Sequence, residues 1–116
     1  MGTALYVRTI WHGLNWHLMR TLYHLWLSPI SRKVRLVLGE KGLEADLIVE
    51  KIWERREAYL ALNPAGTIPL LLYEDGTAVA DSAAICEYLD EVYPDPPIIG
   101  LDPATRAEVR RLVAWF

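Results

Sequence analysis

The sequence predicts an α/β domain, a mixed β-sheet layered against helices, followed by the first helix of a second, all-helical unit. Three observations predict it. Over residues 21–52 the apolar pattern changes from strand-like to helical and back, which marks a βαβ unit and so a parallel strand pair with a right-handed crossover. Glu74-Asp75-Gly76 separates two further short apolar runs, a hairpin signal that adds an antiparallel pair. Asp102-Pro103 then opens one more helix with its own N-cap and N1 pair.

The elements follow in order. Residues 21–26 form the first strand, bounded by Ser28-Pro29. Ser28 or Ser31 caps a helix running to about Lys41. Val34, Val37 and Leu38 make its apolar face, and Gly42 stops it. Residues 45–52, rich in Leu, Ile and Val, form a second strand. Residues 54–62 form a short charged helix that ends at Asn63-Pro64. Residues 68–73 form the third strand and 77–80 the fourth. Pro69 cannot donate to a sheet ladder, so it sits at the start or edge of its strand. Residues 82–93 form a helix with Ile85, Tyr88, Leu89 and Val92 on one face, and Pro94 to Pro97 make a linker. The order βαβ, helix, ββα is the thioredoxin-like arrangement. In the last helix Val109, Leu112, Val113 and Phe116 recur at i, i+3, i+4 and i+7, a stripe that needs a partner.

Residues 1–18 carry aromatic and apolar side chains without a clean period. Gly2, Arg8, His12, Gly13, Asn15 and His17 break the segment. It is read as an extension outside the fold, with Met19 as the natural start. Residues 19–95 are then the thioredoxin-like domain. Residues 96–116 are a linker and the first helix of an incomplete, truncated helical domain.

Composition narrows the function. Hydrophobic residues make up 53% and charged residues 23% of the 116, as in a globular domain. A net charge of −3 leaves no nucleic-acid footprint, and Arg32-Lys33 and Arg55-Arg56 read as solvated helix faces. One cysteine, Cys86, permits no disulfide framework and points to a reducing cytoplasm. No run approaches the ~18 apolar residues of a membrane span. No His, Cys and acid cluster has metal-ligand spacing, so no metal is expected.

The chemistry concentrates in two stretches. In Asn63-Pro64-Ala65-Gly66-Thr67-Ile68-Pro69 a proline opens an apolar strand; in Asp81-Ser82 an acid and a hydroxyl open a helix. A cis bond at Pro69 would turn the Ile68 main chain outward as an edge for a peptide-sized ligand. The charged end of that ligand would meet the helix N-terminus at Asp81 and Ser82. Without a ligand, the same residues make a turn and an N-cap pair.

These pieces, in this order and at these spacings, resemble the N-terminal domain of cytosolic glutathione S-transferases. The resemblance runs through Leu22-Tyr23-His24, Ser28-Pro29-Ile30-Ser31-Arg32-Lys33-Val34-Arg35-Leu36, the Leu62 to Pro69 stretch, Asp81-Ser82 with Ala84-Ile85 and Tyr88-Leu89, and Arg106-Ala107. It implies a two-domain protein of about twice this length, usually a homodimer, with glutathione as co-substrate. It also implies that the helical domain supplies most of the electrophile pocket. Ser28 stands where serine-type transferases carry the catalytic serine. A hydrogen bond to a charged group is worth roughly 1.5–3 kcal/mol, enough to lower a thiol pKa by about one to two units. Capping the helix is the alternative role of Ser28. Ser28-Pro29-Ile30-Ser31 occupies the place of C-x-x-C in thioredoxin relatives, so disulfide exchange is excluded. By the same resemblance Ile68 pairs with the cysteinyl main chain and Pro69 holds it open. Ser82 takes the γ-glutamyl carboxylate and Asp81 faces the ammonium. Thr67 departs from the Lys or Gln that many relatives place there against the glycyl carboxylate, which leaves Arg55 or Arg56 as substitutes.

His24 is expected as a packed strand residue, Trp26 near the site, Trp53 exposed and Cys86 in the core. Two functions stay open. One is a serine-type transferase that activates glutathione as thiolate for conjugation. The other is a non-catalytic protein-binding module with a bacterial stress or cell-division partner. A truncated product without competent activity, its electrophile pocket largely absent, is the third reading. Trp53-Glu54-Arg55-Arg56-Glu57 and the helix from Arg106 to Phe116 are similar to bacterial division proteins of the same family.

Overall fold

A computed structural model describes residues 19–116; the reading of residues 1–18 lies outside the described residues. The described chain forms β1 (Arg20–His24), α1 (Pro29–Glu40), β2 (Asp46–Val49), a 3₁₀ turn (Ile52–Glu54), α2 (Glu57–Leu62), β3 (Leu70–Tyr73), β4 (Ala78–Ala80), α3 (Ser82–Val92) and α4 (Pro103–Trp115). The sheet order is β2-β1-β3-β4. β1 and β2 are parallel, whereas β1/β3 and β3/β4 are antiparallel. This is the mixed thioredoxin-like sheet that the sequence predicts, with a helix of the next unit attached.

Alternation along the strands builds two cores. Leu22 and Leu71 face α1 and α3, where they meet Val34, Val37, Leu38, Ile85, Cys86 and Leu89. Tyr23 and Leu70 point to the other face and pack with Tyr59 of α2 and with Ile68. Cys86 is therefore a core thiol, and burial pushes its pKa up.

The ends of α1 follow from its sequence. Ser28 is the N-cap, with Pro29 at N1. At the other end Gly42 has φ +65°; its N–H bonds the Gly39 carbonyl at 3.1 Å, and the Leu43 N–H bonds that of Leu38 at 2.9 Å. That pair is a Schellman stop, which needs a residue free to adopt the left-handed region.

Two elements differ from expectation. The Leu-Ile-Val run yields only four strand residues, all exposed, because β2 is an edge strand with a single neighbour. The predicted second helix is split: Arg55, at φ 48°, interrupts it between the 3₁₀ turn and α2.

A buried ion pair braces the far end of the domain. Lys41 Nζ donates to Asp90 Oδ1 at 2.9 Å and to the carbonyls of Tyr93 and Pro96 at 2.5 and 2.7 Å. Asp90 also accepts from the N–H groups of Ile98 and Ile99. Burial pushes the Asp90 pKa up, but Lys41 and these two N–H groups outweigh it and hold the carboxyl below its ordinary value. The Asp95–Pro96 bond in this linker is cis. α4 is capped by Asp102, whose carboxylate accepts from Thr105 N–H at 2.8 Å, and it leans on α3 through Arg110–Glu87 at 2.7 Å. No residue of α4 is buried, and Leu112, Val113 and Phe116 are 38%, 46% and 98% exposed. No helix of the described residues is long and apolar enough to cross a membrane.

Candidate functional site

The candidate residues come from three distant stretches, and the sheet register brings them to one end. Tyr23 in β1 lies opposite Leu70 in β3, and Leu70 lies opposite Ala80 in β4. Neighbouring strands are about 4.8 Å apart. Just beyond that row come the turn to Ser28, the Ile68-Pro69 pair and the Asp81-Ser82 pair.

Ser28 is half-buried, and its Oγ accepts from the Ser31 N–H at 3.2 Å. A hydroxyl has one donor and two lone pairs, so capping leaves the Ser28 O–H free to donate. Ser31 is buried instead, and its Oγ takes the Leu25 N–H at 3.4 Å. The choice between two capping serines is thus settled for Ser28.

The loop before β3 is held from beneath. Tyr59 OH donates to the Thr67 carbonyl at 2.5 Å, and Asn63 Nδ2 donates to the same oxygen at 2.8 Å. Tyr59 is buried, and burial raises its pKa. Gly66 has φ +69°, and its N–H closes a turn on the Asn63 carbonyl at 2.9 Å. A Cβ at Gly66 would lie 3.2 Å from Leu60 Cδ2 and 3.3 Å from Arg55 Nη1. The Ile68–Pro69 bond is cis. The Ile68 side chain is buried, and its main-chain N–H and C=O have no partner among the described residues. Asn63 and Tyr59 were missed as site-building residues. Asn63-Pro64 signals a helix end, and nothing in the periodicity marks a side chain that folds back four residues on.

Gly66 also separates the two arginine candidates. Arg56 is taken by Glu50, with bonds of 3.0 and 2.7 Å. The Arg55 guanidinium lies over Gly66 and makes no hydrogen bond or ion pair among the described residues. The Thr67 Oγ1 accepts from Asn63 Nδ2 at 3.3 Å.

At the start of α3, Asp81 is the N-cap, and its carboxylate accepts from the Ala84 N–H at 3.1 Å. Its φ of 81° is uncommon for a residue with a side chain. Such a conformation costs on the order of 1–3 kcal/mol and persists where surroundings enforce it. The Ser82 side chain is buried, and its hydroxyl has no partner among the described residues. The first-turn N–H groups of Ser82 and Ala83 are likewise unpaired. Together these make an anion-accepting helix start with a carboxylate beside it.

Among the described residues no group of three His, Cys, Asp or Glu side chains could hold a metal ion. Trp26 and Trp53 are exposed, the first beside the turn to Ser28 and the second on the 3₁₀ turn.

The sequence profile of the glutathione S-transferase N-terminal domain matches residues 27–92, more than half of the chain and a span that holds Ser28, Arg55, Thr67, Ile68, Pro69, Asp81 and Ser82. The chain belongs to the glutathione S-transferase family. It is 42% identical over 100 residues to FtsZ-localized protein A of Caulobacter vibrioides, covering 84% of this chain and 44% of that protein. A glutathione S-transferase crystal structure from Rhodospirillum rubrum F11 matches with a TM-score of 0.80 and 55% identity, over 84% of this chain and 44% of that one. A transferase homologue from Sulfitobacter, solved with bound glutathione, matches with a TM-score of 0.76 and 27% identity, over 84% of this chain and 48% of that one. The chain thus spans about half the length of these relatives.

Proposed function

We propose that this end of the sheet binds glutathione and holds its thiol as thiolate for attack on an electrophile. The observation that carries the reading is the unpartnered main chain of Ile68 beside the open first turn of α3. An extended tripeptide would pair its cysteinyl unit with Ile68, in the manner of an added strand. Its γ-glutamyl carboxylate would take the Ser82 hydroxyl and N–H, favoured by the helix dipole. Asp81 keeps carboxylate lone pairs beyond the one used in capping and would face the ammonium. Arg55 would meet the glycyl carboxylate that Thr67 is too short and uncharged to hold. The free Ser28 O–H would donate to the sulfur. Bound glutathione in the Sulfitobacter relative supports this reading. Residues 19–95 would form the binding domain and 96–116 the entry to the helical part, to which we assign the electrophile pocket and the family's dimer contacts. A cytoplasmic setting fits a reduced thiol ligand.

A second reading has its own support. Leu47, Ile48, Val49 and Trp53 are 42%, 42%, 44% and 67% exposed on one edge, and the FtsZ-localized relative is 42% identical. In that reading this surface binds a protein partner and the glutathione residues serve as scaffold.

Calorimetric titration of reduced glutathione into the folded chain separates them. The proposal expects saturable binding that weakens about tenfold or more in Asp81→Ala. No heat of binding from a folded chain up to millimolar glutathione would overturn it in favour of the partner-binding reading.

A further inference from the structure

Arg35 of α1 lies under the turn that leads to Ser28. Its guanidinium donates to the Trp26 carbonyl at 3.2 Å, to the Leu25 carbonyl at 3.4 Å and to His24 Nδ1 at 2.9 Å. It also sits over the Trp26 ring, 4.9 Å from the centroid, and the His24 ring meets Trp26 edge-on at 4.5 Å. The turn closes with the Ser28 N–H on the Leu25 carbonyl at 3.2 Å. Both carbonyls that Arg35 grips are thus within three residues of Ser28. A planar fork of donors suits this task, since one group must reach three acceptors at fixed angles.

The third acceptor sets a condition. His24 is fully buried at the end of β1. Its Nδ1 accepts from Arg35 only as a lone pair, so the ring is neutral and its hydrogen is on Nε2. That Nε2 is buried without a partner among the described residues. A proton on Nδ1 would set an N–H against the guanidinium. Burial, and then the Arg35 charge, hold the His24 pKa below its ordinary value of 6.5. The facing charges are few. From α1 it is Arg35. Just past β2 is Glu50, whose main-chain N–H bonds the His24 carbonyl at 3.0 Å while its carboxylate is held by Arg56. From the adjoining end of β3, Leu70 and Leu71 bring none.

We propose that Arg35 is a positioning residue for the site: braced by the neutral ring of His24, it fixes the Leu25–Trp26 turn and so the aim of the Ser28 hydroxyl. Protonation of His24 releases that brace, so the site loosens in acid. The assignment rests on the role proposed above for Ser28, and its test has arms that need no glutathione.

The test is an NMR titration of the 116-residue chain, following the His24 ring and the amides of residues 25–28, in wild type, Arg35→Ala, Arg35→Lys and His24→Gln. In wild type the His24 midpoint lies below 6.5, and the amides of residues 25–28 move with it. In Arg35→Ala the midpoint rises and these amides shift at neutral pH. In Arg35→Lys the charge keeps the midpoint low, but a single ammonium cannot replace the fork and the amides still shift. His24→Gln offers Arg35 an uncharged acceptor, so the amides stay near wild type and lose their acid transition. Glutathione binding follows the same pattern. It weakens about tenfold in both Arg35 variants and, in wild type, as pH falls below 6.5. No glutathione group titrates just below 6.5. The fold is expected to persist, because Val34, Val37 and Leu38 of α1 are untouched. A His24 midpoint at 6.5 or above, or wild-type amide positions for residues 25–28 in Arg35→Ala, would overturn the proposal. If wild type binds no glutathione, the functional reading above falls, while the ring and amide arms still decide the role of Arg35.

Discussion

At Ser28 one oxygen has room for two bonds of opposite direction. It accepts from the Ser31 N–H as a helix cap, and its own hydrogen has no partner among the described residues. Capping and catalysis are therefore compatible, and substitution can separate them. Ser28→Ala removes both, so the thiol pKa of bound glutathione should climb by about one to two units and stability should fall by about 1 kcal/mol. Ser28→Asp still caps but has no hydrogen to donate. It should keep most of the stability and lose the thiolate. Ultraviolet thiolate absorbance against pH, with thermal unfolding alongside, reads both quantities. Equal thiol pKa values in Ser28→Asp and wild type would remove Ser28 from the chemistry.

The elements were legible where their signals are local. Gly42 and Asp102-Pro103 mark helix ends by capping chemistry that acts within four residues, and each sits where the sequence puts it; at the start of α1 the sequence offers Ser28 or Ser31, and Ser28 is the cap. Legibility failed where the deciding partner is remote. The Leu-Ile-Val run of β2 has strand character, but its exposure depends on which strands it lies beside. Lys41 looks like an ordinary charge at a helix end, whereas its partner Asp90 is 49 residues away and buried with it. Removing one member of such a buried pair leaves the other uncompensated. Asp90→Ala should cost roughly 3–5 kcal/mol, read from denaturant unfolding. The sign with pH follows from the direction of the shift. The Asp90 pKa is depressed on folding, so its contribution is complete above its unfolded pKa and is lost as pH falls through the folded value below 3.8. The difference between wild type and Asp90→Ala should therefore narrow in strong acid. A constant difference down to pH 2 would contradict the assignment.

Across the whole molecule the register does what no single stretch can. The row Tyr23, Leu70, Ala80 carries three loops to one end of the sheet. The sequence names the loops; the sheet order makes them neighbours. The same order hides the Arg35–His24 brace from a reading by periodicity, because one partner closes a strand and the other points from the helix that crosses over it. The place of the Arg55 guanidinium over the Cβ-free face of Gly66 was equally hidden from periodicity. The apolar faces of β2, the edge strand of the sheet, and of α4, the last described element, remain uncovered among the described residues.

The central claim is that glutathione lies along Ile68 and ends at the start of α3. Amide NMR of the folded chain, titrated with reduced glutathione, tests it most directly. The account predicts saturable shifts centred on Ile68, Ser82 and Ala83, with a second group at residues 25–28. Shifts confined to other surfaces, or none up to millimolar glutathione, would contradict it.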